Sequence, residues 1–262
     1  MCIGIFDSGL GGLTVAKEIF KNLPYERIVY LGDTAHLPYG SKSKEIITML
    51  SVRNVEFLLK SNVKVIVIAC NTASSLSYNS LKKKFDLPII NVIYPGAKAA
   101  VLATKNKKIG IIGTLATIGS GSYEKAIRSI SSDIKVYSKA CPLFVPLVEE
   151  GKLQDEITRF VVRDYLLPFK KFGMDVLILG CTHYPLLKSM IQEVMGKDVK
   201  LIDSASEVSL EVKRVLTQKN LLQKNKKNKT HKFFVTDFPQ QFEKLGKIFL
   251  GSKSFNVKKV EI

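Results

Sequence analysis

Two stretches of this sequence are near copies of each other: residues 65–74 read VIVIACNTAS, and residues 176–186 read VLILGCTHYPL. In each stretch, an apolar run of strand length is followed by a small residue, a cysteine and polar residues that can open a helix. The two cysteines, Cys70 and Cys181, lie 111 positions apart. An internal repeat of this kind predicts two similar structural units within the chain.

The repeat extends beyond the two cysteine segments. Residues 51–60, SVRNVEFLLK, align with residues 161–170, VVRDYLLPFK, and the tripeptide IGI occurs both at 3–5 and at 109–111. The predicted strands are 3–6, 27–31, 63–68, 89–92 and 199–202, and the predicted helices are 13–21, 44–60 and one that begins near Cys70. Alternating strands and helices are typical of parallel sheets with helices on both faces.

The predicted fold class is therefore α/β, with two similar parallel-sheet units related by pseudo-twofold symmetry and an active site in the cleft between them. We expect residues 1–93 together with 207–262 to form the first domain, and residues 94–206 to form the second. The tail is predicted to return to the first unit. It should contribute a helix from about 208, a strand at 232–235, a helix at 238–250, a final strand at 255–257 and an exposed loop at 224–229.

Polar side chains follow several of these strands directly. In open parallel sheets, ligands bind beyond the carboxyl ends of the strands, so residues at that edge are candidates for a site. The candidates on this basis are Asp7, Asp33, Cys70, Thr114 and Cys181. Two facing units would bring both copies of the edge to one cleft.

Composition excludes several classes of protein. The chain has 262 residues, and its apolar runs are far shorter than the roughly 20 residues that cross a membrane, so we expect a cytoplasmic protein with no membrane partner. The net charge is +17, but it comes mostly from scattered lysines. Nucleic-acid surfaces usually combine arginines with aromatic residues, so a nucleic-acid partner is not expected.

The four cysteines form no CxxC pair and should be free thiols in a reducing compartment. A free cysteine is most often a small buried apolar residue, and this is the interpretation for Cys2 and Cys141. Cys70 and Cys181 differ because each is predicted to stand between a strand and a helix start. There the helix dipole and free N–H groups favour the thiolate and lower its pKa from about 8.5.

Two thiols in equivalent places of a duplicated fold suit a reaction with mirror symmetry. In racemisation, one group removes the α-proton from one face of the substrate and another delivers a proton to the opposite face. Acyl transfer is disfavoured, because His183 is too close in sequence to Cys181 for an ordinary triad. A zinc site of Cys70, Cys181 and His183 remains an alternative, as does burial of both cysteines in the core.

Three further segments are candidates for substrate binding. Residues 6–13, FDSGLGGL, form a glycine-rich turn in which Ser8 and backbone N–H groups could hold a carboxylate, with Asp7 as an auxiliary base or helper of Cys70. Residues 33–41, DTAHLPYGS, form a polar loop whose path is set by Pro38 and Gly40. Its candidate ligand contacts are Tyr39, Gly40 and Ser41. Thr114 and Thr117 mirror the first segment in the second unit. Plain helix capping or turn formation is the alternative for each segment.

Together these segments resemble the glutamate racemase family of the aspartate/glutamate racemase superfamily, over essentially the whole chain. The motifs that carry the resemblance are GIFDSGLGGLTV (4–15), DTAHLPYG (33–40), ACNTAS (69–74), IGTLATIGSGSY (112–123), CPLFVPLVEEG (141–151) and GCTHYPLL (180–187). Each motif alone is weak, whereas all six in this order are highly specific.

The resemblance implies a role for each of these residues. Cys70 would exchange the α-proton of the D-enantiomer and Cys181 that of the L-enantiomer, assisted by Asp7, His183 and Glu149. The implied substrate-binding residues are Asp7, Ser8, Pro38, Tyr39, Gly40, Ser41, Asn71, Thr72, Thr114, Thr117, Thr182 and His183.

The resemblance also implies an enzyme without pyridoxal phosphate, metal or other cofactor. Its substrate would be glutamate, its product D-glutamate would enter bacterial peptidoglycan, and a homodimer would be usual. Two alternatives stay open at this point. One is an aspartate racemase or related amino-acid racemase of the same superfamily, and the other is a non-catalytic basic binding protein.

Overall fold

Helices and strands alternate along the chain in the computed structural model, which describes residues 1–225, 230–251 and 256–262. The strands are β1 (Cys2–Asp7), β2 (Ile28–Gly32), β3 (Val63–Ile68), β4 (Ile89–Asn91), β5 (Lys108–Gly113), β6 (Lys135–Ala140), β7 (Val176–Gly180), β8 (Lys200–Asp203), β9 (Lys232–Val235) and β10 (Val257–Lys259). The first helices are α1 (Leu13–Asn22), α2 (Lys44–Leu59), α3 (Asn71–Lys84), α4 (Ile93–Ala103), α5 (Leu115–Gly119) and α6 (Ser122–Ile130). The others are α7 (Phe144–Glu149), α8 (Glu156–Lys170), α9 (Lys188–Met195), α10 (Ser204–Gln218) and α11 (Pro239–Leu250).

The strands form two parallel sheets with the same internal order. The first sheet runs β10-β9-β2-β1-β3-β4 and the second runs β6-β5-β7-β8. Strands β2-β1-β3-β4 of the first correspond in order to β6-β5-β7-β8 of the second, which is the duplication that the sequence repeat predicts. The predicted fold class is confirmed. Strands β9 and β10 extend the first sheet beside β2, as expected for the tail, while the exact domain boundaries stay a prediction.

The element bounds differ from the predicted ones mainly near the tail. Strand β8 is shifted one residue toward the C-terminus, because Leu177 pairs with Leu201 and Leu179 with Asp203. Helix α10 begins at Ser204, directly after that strand, rather than near residue 208. The final strand lies at 257–259 instead of 255–257. Residues 226–229 of the predicted loop and residues 252–255 lie outside the described part of the chain.

Burial on both faces explains why the central strands read as continuous apolar runs. Every residue of β1, β2 and β7 is buried, as expected for parallel strands covered by helices. Backbone hydrogen bonds align the carboxyl ends: the Asp33 N–H donates to the carbonyl of Asp7, and the Ala69 N–H donates to that of Phe6. The polar residues that follow these strands are thereby brought to one edge, as predicted. Within the described residues, no helix is long and apolar enough to span a membrane.

Candidate active site

The carboxyl edges of the two sheets enclose a cavity of about 140 Å³ that is lined by residues from both. This is a small volume compared with pockets that take drug-sized ligands, and it suits a small molecule. Twelve of the predicted site residues line it: Ser8, Pro38, Tyr39, Gly40, Ser41, Cys70, Asn71, Thr72, Thr114, Cys181, Thr182 and His183. Both repeat cysteines therefore face one cavity, as the duplication predicts.

Cys70 is the N-cap residue of α3 and is 5 % exposed. Its sulfur accepts a hydrogen bond from the Ala73 N–H at 3.5 Å and lies 3.7 Å from the Ser8 hydroxyl. The expected helix-start geometry is present, but the expected lowering of the thiol pKa is wrong. Burial and, after it, the nearby charge of Asp7 raise the pKa of Cys70 to about 12, against the opposing contacts of Ala73 and Ser8. Cys70 is therefore a protonated thiol near neutral pH.

Cys181 follows β7 directly, but the prediction that it opens an α-helix is wrong. A 3₁₀ turn begins three residues later, at Tyr184, and the α-helix begins only at Lys188. Pro185 lies within this turn and has no N–H to contribute to a regular helix. The polar neighbour of Cys181 is instead a side chain, His183, whose Nδ1 lies 3.8 Å from the sulfur.

His183 links this sulfur to a carboxylate. Its Nε2 lies 3.0 Å from Oε1 of Glu149, and the imidazole is almost fully buried. Burial alone would lower the pKa of His183, but the contacts with Cys181 and Glu149 together outweigh it and raise the pKa to about 10. The ring is therefore an imidazolium near neutral pH, placed between Glu149 and the Cys181 sulfur. Glu149 itself stands behind the cavity wall.

Asp7 lies beneath the cavity on the Cys70 side. It is fully buried, with Oδ2 accepting the Gly9 N–H at 3.0 Å and Oδ1 accepting the Thr182 hydroxyl at 3.3 Å. Burial raises the pKa of the Asp7 carboxyl, while the charge of His183 and the backbone N–H groups of Gly9 and Gly12 oppose that rise.

A cluster of three threonine hydroxyls joins the two units beside the cavity. Thr72 Oγ1 lies 2.9 Å from Thr114 Oγ1 and 3.3 Å from Thr117 Oγ1, and the last two lie 3.0 Å apart. Thr114 is also the N-cap of α5, since its hydroxyl accepts the Thr117 N–H at 3.2 Å. The capping and binding interpretations of Thr114 are thus compatible, because it caps a helix and lines the cavity. Thr117 supports it from behind the wall.

The loop 33–41 is held by a buried carboxylate. Asp33 accepts hydrogen bonds from the Tyr39 hydroxyl at 2.5 Å and the Thr236 hydroxyl at 2.9 Å, and lies 2.7 Å from Nδ1 of His36. The Tyr39 hydroxyl also accepts a bond from Asn54. Tyr39 lines the cavity, and its hydroxyl bonds to Asp33 and Asn54, so its predicted role as a ligand contact stays a prediction for the rest of the residue.

Two glycines allow the units to approach closely. A Cβ at Gly11 would overlap the Thr182 hydroxyl and would lie 2.8 Å from His183 Nδ1, and one at Gly40 would lie 2.7 Å from Thr114 Cβ. Such distances are far below van der Waals contact, so both glycine positions need the absence of a side chain. The loop that contains Gly11 in the first unit can therefore contact the edge of the second unit that carries Thr182 and His183.

Sequence reasoning missed the apolar part of the wall. Five further residues line the cavity: Leu37, Leu115, Pro142, Val145 and Pro146. Apolar residues next to polar motifs resemble ordinary core residues, although Pro142, Val145 and Pro146 belong to the quoted motif CPLFVPLVEEG. Within the described residues, neither a lysine nor an arginine lines the cavity, and no group of three His, Cys, Asp or Glu side chains is placed to hold a metal ion.

The duplicated fold with a thiol from each half at one small cavity is that of an amino-acid racemase. The family model for Asp/Glu/Hydantoin racemases matches residues 25–208. A glutamate racemase of Geobacter metallireducens is 46% identical over 260 residues, covering 99% of this chain and 96% of that protein. The chain belongs to the glutamate racemase family.

Solved structures agree with this assignment. The crystal structure of a glutamate racemase isoform from Bacillus anthracis superposes with a TM-score of 0.96 at 42% identity, covering 100% of this chain and 97% of that one. The glutamate racemase of Francisella tularensis, crystallised with D-glutamate, gives a TM-score of 0.92 at 38% identity, covering 99% and 97% of the two chains.

Replacing Gly11 by alanine tests the close approach of the two units. Because the new Cβ overlaps Thr182 and crowds His183, we expect racemase kcat/KM to fall by about tenfold or more, which corresponds to about 1.4 kcal/mol of lost transition-state stabilisation. The matched control is Gly119→Ala, whose Cβ meets nothing within 4 Å. An equal kcat/KM for Gly11→Ala and Gly119→Ala would contradict the close contact of Gly11 with Thr182 and His183.

Replacing Glu149 by glutamine tests the charge on His183. Without the carboxylate, we expect the pKa of His183 to fall from about 10 by about 1–3 pH units. The measurement is an NMR titration of the imidazole nitrogens of the three histidines, with His183→Asn used for assignment. Glu150→Gln is the control, because it removes a neighbouring exposed carboxylate. An unchanged pKa of His183 in Glu149→Gln would show that Glu149 does not raise the pKa of this imidazole.

Proposed function

We propose that this protein interconverts L-glutamate and D-glutamate without a cofactor, using Cys70 and Cys181 as its two acid/base groups. The observation that carries the proposal is that the thiols follow equivalent strands, β3 and β7, of two sheets with the same strand order, and line one cavity. A substrate between them has one thiol on each side of its α-carbon. The names of the relatives support glutamate, rather than aspartate, as the substrate.

The proposed step moves one proton in and one proton out. A thiolate on one side takes the α-proton, so the C–H bond breaks and an S–H bond forms, leaving a carbanion at the α-carbon. The thiol on the other side gives its proton to the opposite face, so a new C–H bond forms and that sulfur becomes the thiolate. No electrons leave or enter the substrate, and the roles of the two sulfurs are reversed in the other direction.

The two sulfurs have different neighbours in this step. Cys70 holds its proton, because burial raises its pKa to about 12. His183 Nδ1 lies 3.8 Å from the Cys181 sulfur. On the family resemblance, Cys181 is the base and Cys70 the acid for L-glutamate. After that reaction Cys70 is the thiolate, ready for D-glutamate, and the charge of Asp7 raises its pKa and so favours its return to the thiol.

Neutral groups hold the charged substrate in this proposal. The candidate contacts are hydroxyls and amides: Ser8, Ser41, Asn71, Thr72, Thr114 and Thr182. Such donors fix a carboxylate by hydrogen bonds, with less electrostatic stabilisation of the ground state than a lysine or arginine would supply. The net charge of +17 attracts an anionic substrate from a distance, while binding itself is neutral and short-ranged.

The wider role follows from the product. We propose that D-glutamate made here enters peptidoglycan, and thus cell-wall formation and cell shape, in the cytoplasm of a bacterium. Four buried cysteines, all unpaired, fit a reducing compartment. A homodimer is part of the same proposal on family resemblance alone, and size-exclusion chromatography with light scattering would test it.

Substitution of one thiol at a time tests the two-base mechanism. Cys70→Ser and Cys181→Ser should each abolish racemisation of glutamate, followed by circular dichroism without added cofactor, since serine is far less acidic than cysteine. A substrate with a β-leaving group needs only the first proton removed. With threo-chloroglutamate, Cys70→Ser should still eliminate HCl from the L-form through Cys181, and Cys181→Ser from the D-form through Cys70.

The control for this experiment is Cys141→Ser. Cys141 is a buried thiol that does not line the cavity, so its variant should racemise glutamate and eliminate from both enantiomers. Elimination from both enantiomers by either active-site variant would mean that one base serves both faces. An absence of racemisation by the unaltered protein, or its dependence on pyridoxal phosphate or zinc, would contradict the proposed function itself.

A further inference from the structure

Tyr123 is the last residue of the motif IGTLATIGSGSY, and nothing in the proposed mechanism uses it. It stands near the start of α6 and is 2 % exposed. Its hydroxyl donates a hydrogen bond of 2.7 Å to Oδ1 of Asn71, the first residue of α3. The bond crosses from one sheet unit to the other, directly behind the cavity. Asn71 is itself 3 % exposed and lines that cavity.

The other end of the Asn71 amide has no hydrogen-bond partner among the residues that the structure describes. Nδ2 of Asn71 is buried and makes no hydrogen bond, although an unsatisfied buried N–H group costs free energy. A side-chain amide has an acceptor end and a donor end, and the two ends can exchange by rotation. A neighbouring donor that bonds to the oxygen of the amide therefore fixes the direction in which its NH₂ group points.

Two helices pack against the Tyr123 hydroxyl and limit what it can bond to besides Asn71. Ser204, the first residue of α10, lies close to the Tyr123 hydroxyl, since both are within 3.4 Å of a Cβ placed at Gly96. A Cβ at Gly96 of α4 would lie 3.4 Å from the same oxygen, so that helix closes the pocket on a further side. The phenol has one proton to donate, and the atom that accepts it is the amide oxygen of Asn71.

We propose that Tyr123 is a positioning residue that orients the Asn71 amide, so that Nδ2 points into the cavity and donates to a carboxylate of the substrate. The proposal rests on the proposed function, because the ligand of Nδ2 is the racemised amino acid. It explains why a polar atom is left unpaired in a buried site: its partner is the substrate. It also gives the two helices that connect the units, α4 and α10, a shared contact with the binding site.

The test is a double-mutant cycle with Tyr123→Phe, Asn71→Ala and the double variant, measured on both enantiomers of glutamate. Tyr123→Phe keeps the ring and removes only the hydroxyl, so the amide is free to rotate. We expect KM to rise about three- to tenfold for each enantiomer with kcat changed by less than about threefold, because uniform binding is lost and not transition-state stabilisation. In the Asn71→Ala background, the same change should have no further effect on KM.

A matched control is Tyr184→Phe. Tyr184 is also fully buried and donates to a backbone carbonyl, that of Cys141, at 2.8 Å, but it does not line the cavity. Its variant should show the stability loss of a missing buried hydrogen bond in thermal unfolding, with KM unchanged. Asn71→Asp is the second variant, should Tyr123→Phe fold poorly. It keeps an oxygen toward Tyr123 and places another where Nδ2 was, so KM should rise at least as much.

The outcomes separate this proposal from the function on which it rests. An unchanged KM in Tyr123→Phe, or in Asn71→Asp, would overturn the positioning role while the unaltered protein still racemises glutamate. An equal KM effect of Tyr123→Phe with and without Asn71 would also overturn it, because the phenol would then act by packing alone. Failure of the unaltered protein to racemise glutamate would instead contradict the proposed function.

Discussion

The close contact between the carboxyl edges of the two sheets is the constraint on which the rest of this structure depends. Three threonine hydroxyls, those of Thr72, Thr114 and Thr117, hold the edges together across the unit boundary. Gly11 and Gly40 allow the loops on either side to approach more closely than any side chain would permit. Because each sheet brings its own cysteine to its own edge, this single contact creates the cavity and places both thiols on it.

The two halves share a backbone plan but not an electrostatic environment. Asp7 lies below the cavity near Cys70, whereas His183 and Glu149 stand beside and behind Cys181. In a reversible racemase, each thiol must be able to exist both as thiol and as thiolate. The environments of the two thiols can differ as long as both forms are accessible. Burial raises the pKa of Cys70, and contacts with Cys181 and Glu149 raise the pKa of His183, so the two halves differ in their charged neighbours.

Much of the fold and of the cavity wall was predictable from sequence, because the signals are local. The strand bounds of β3, the cysteine that follows it and the equivalent segment around Cys181 depend only on neighbouring residues. The predictions that failed depend on distant atoms. The pKa of Cys70 is raised by burial and by groups packed around it, and the segment after Cys181 forms a 3₁₀ turn before its α-helix begins. The apolar wall was missed because it carries no chemical signature.

The sequence by itself determined the class of fold, the repeat and the pair of cysteines. These features can be read from the pattern of adjacent residues and from the order of motifs along the chain. Only the tertiary structure decided which groups meet. The hydrogen bond from Tyr123 to Asn71 joins residues 52 positions apart, and that between Thr182 and Asp7 spans 175 positions. Such pairs depend on how two separately formed sheets pack, and burial at that junction, not residue type, sets the protonation and direction of each side chain.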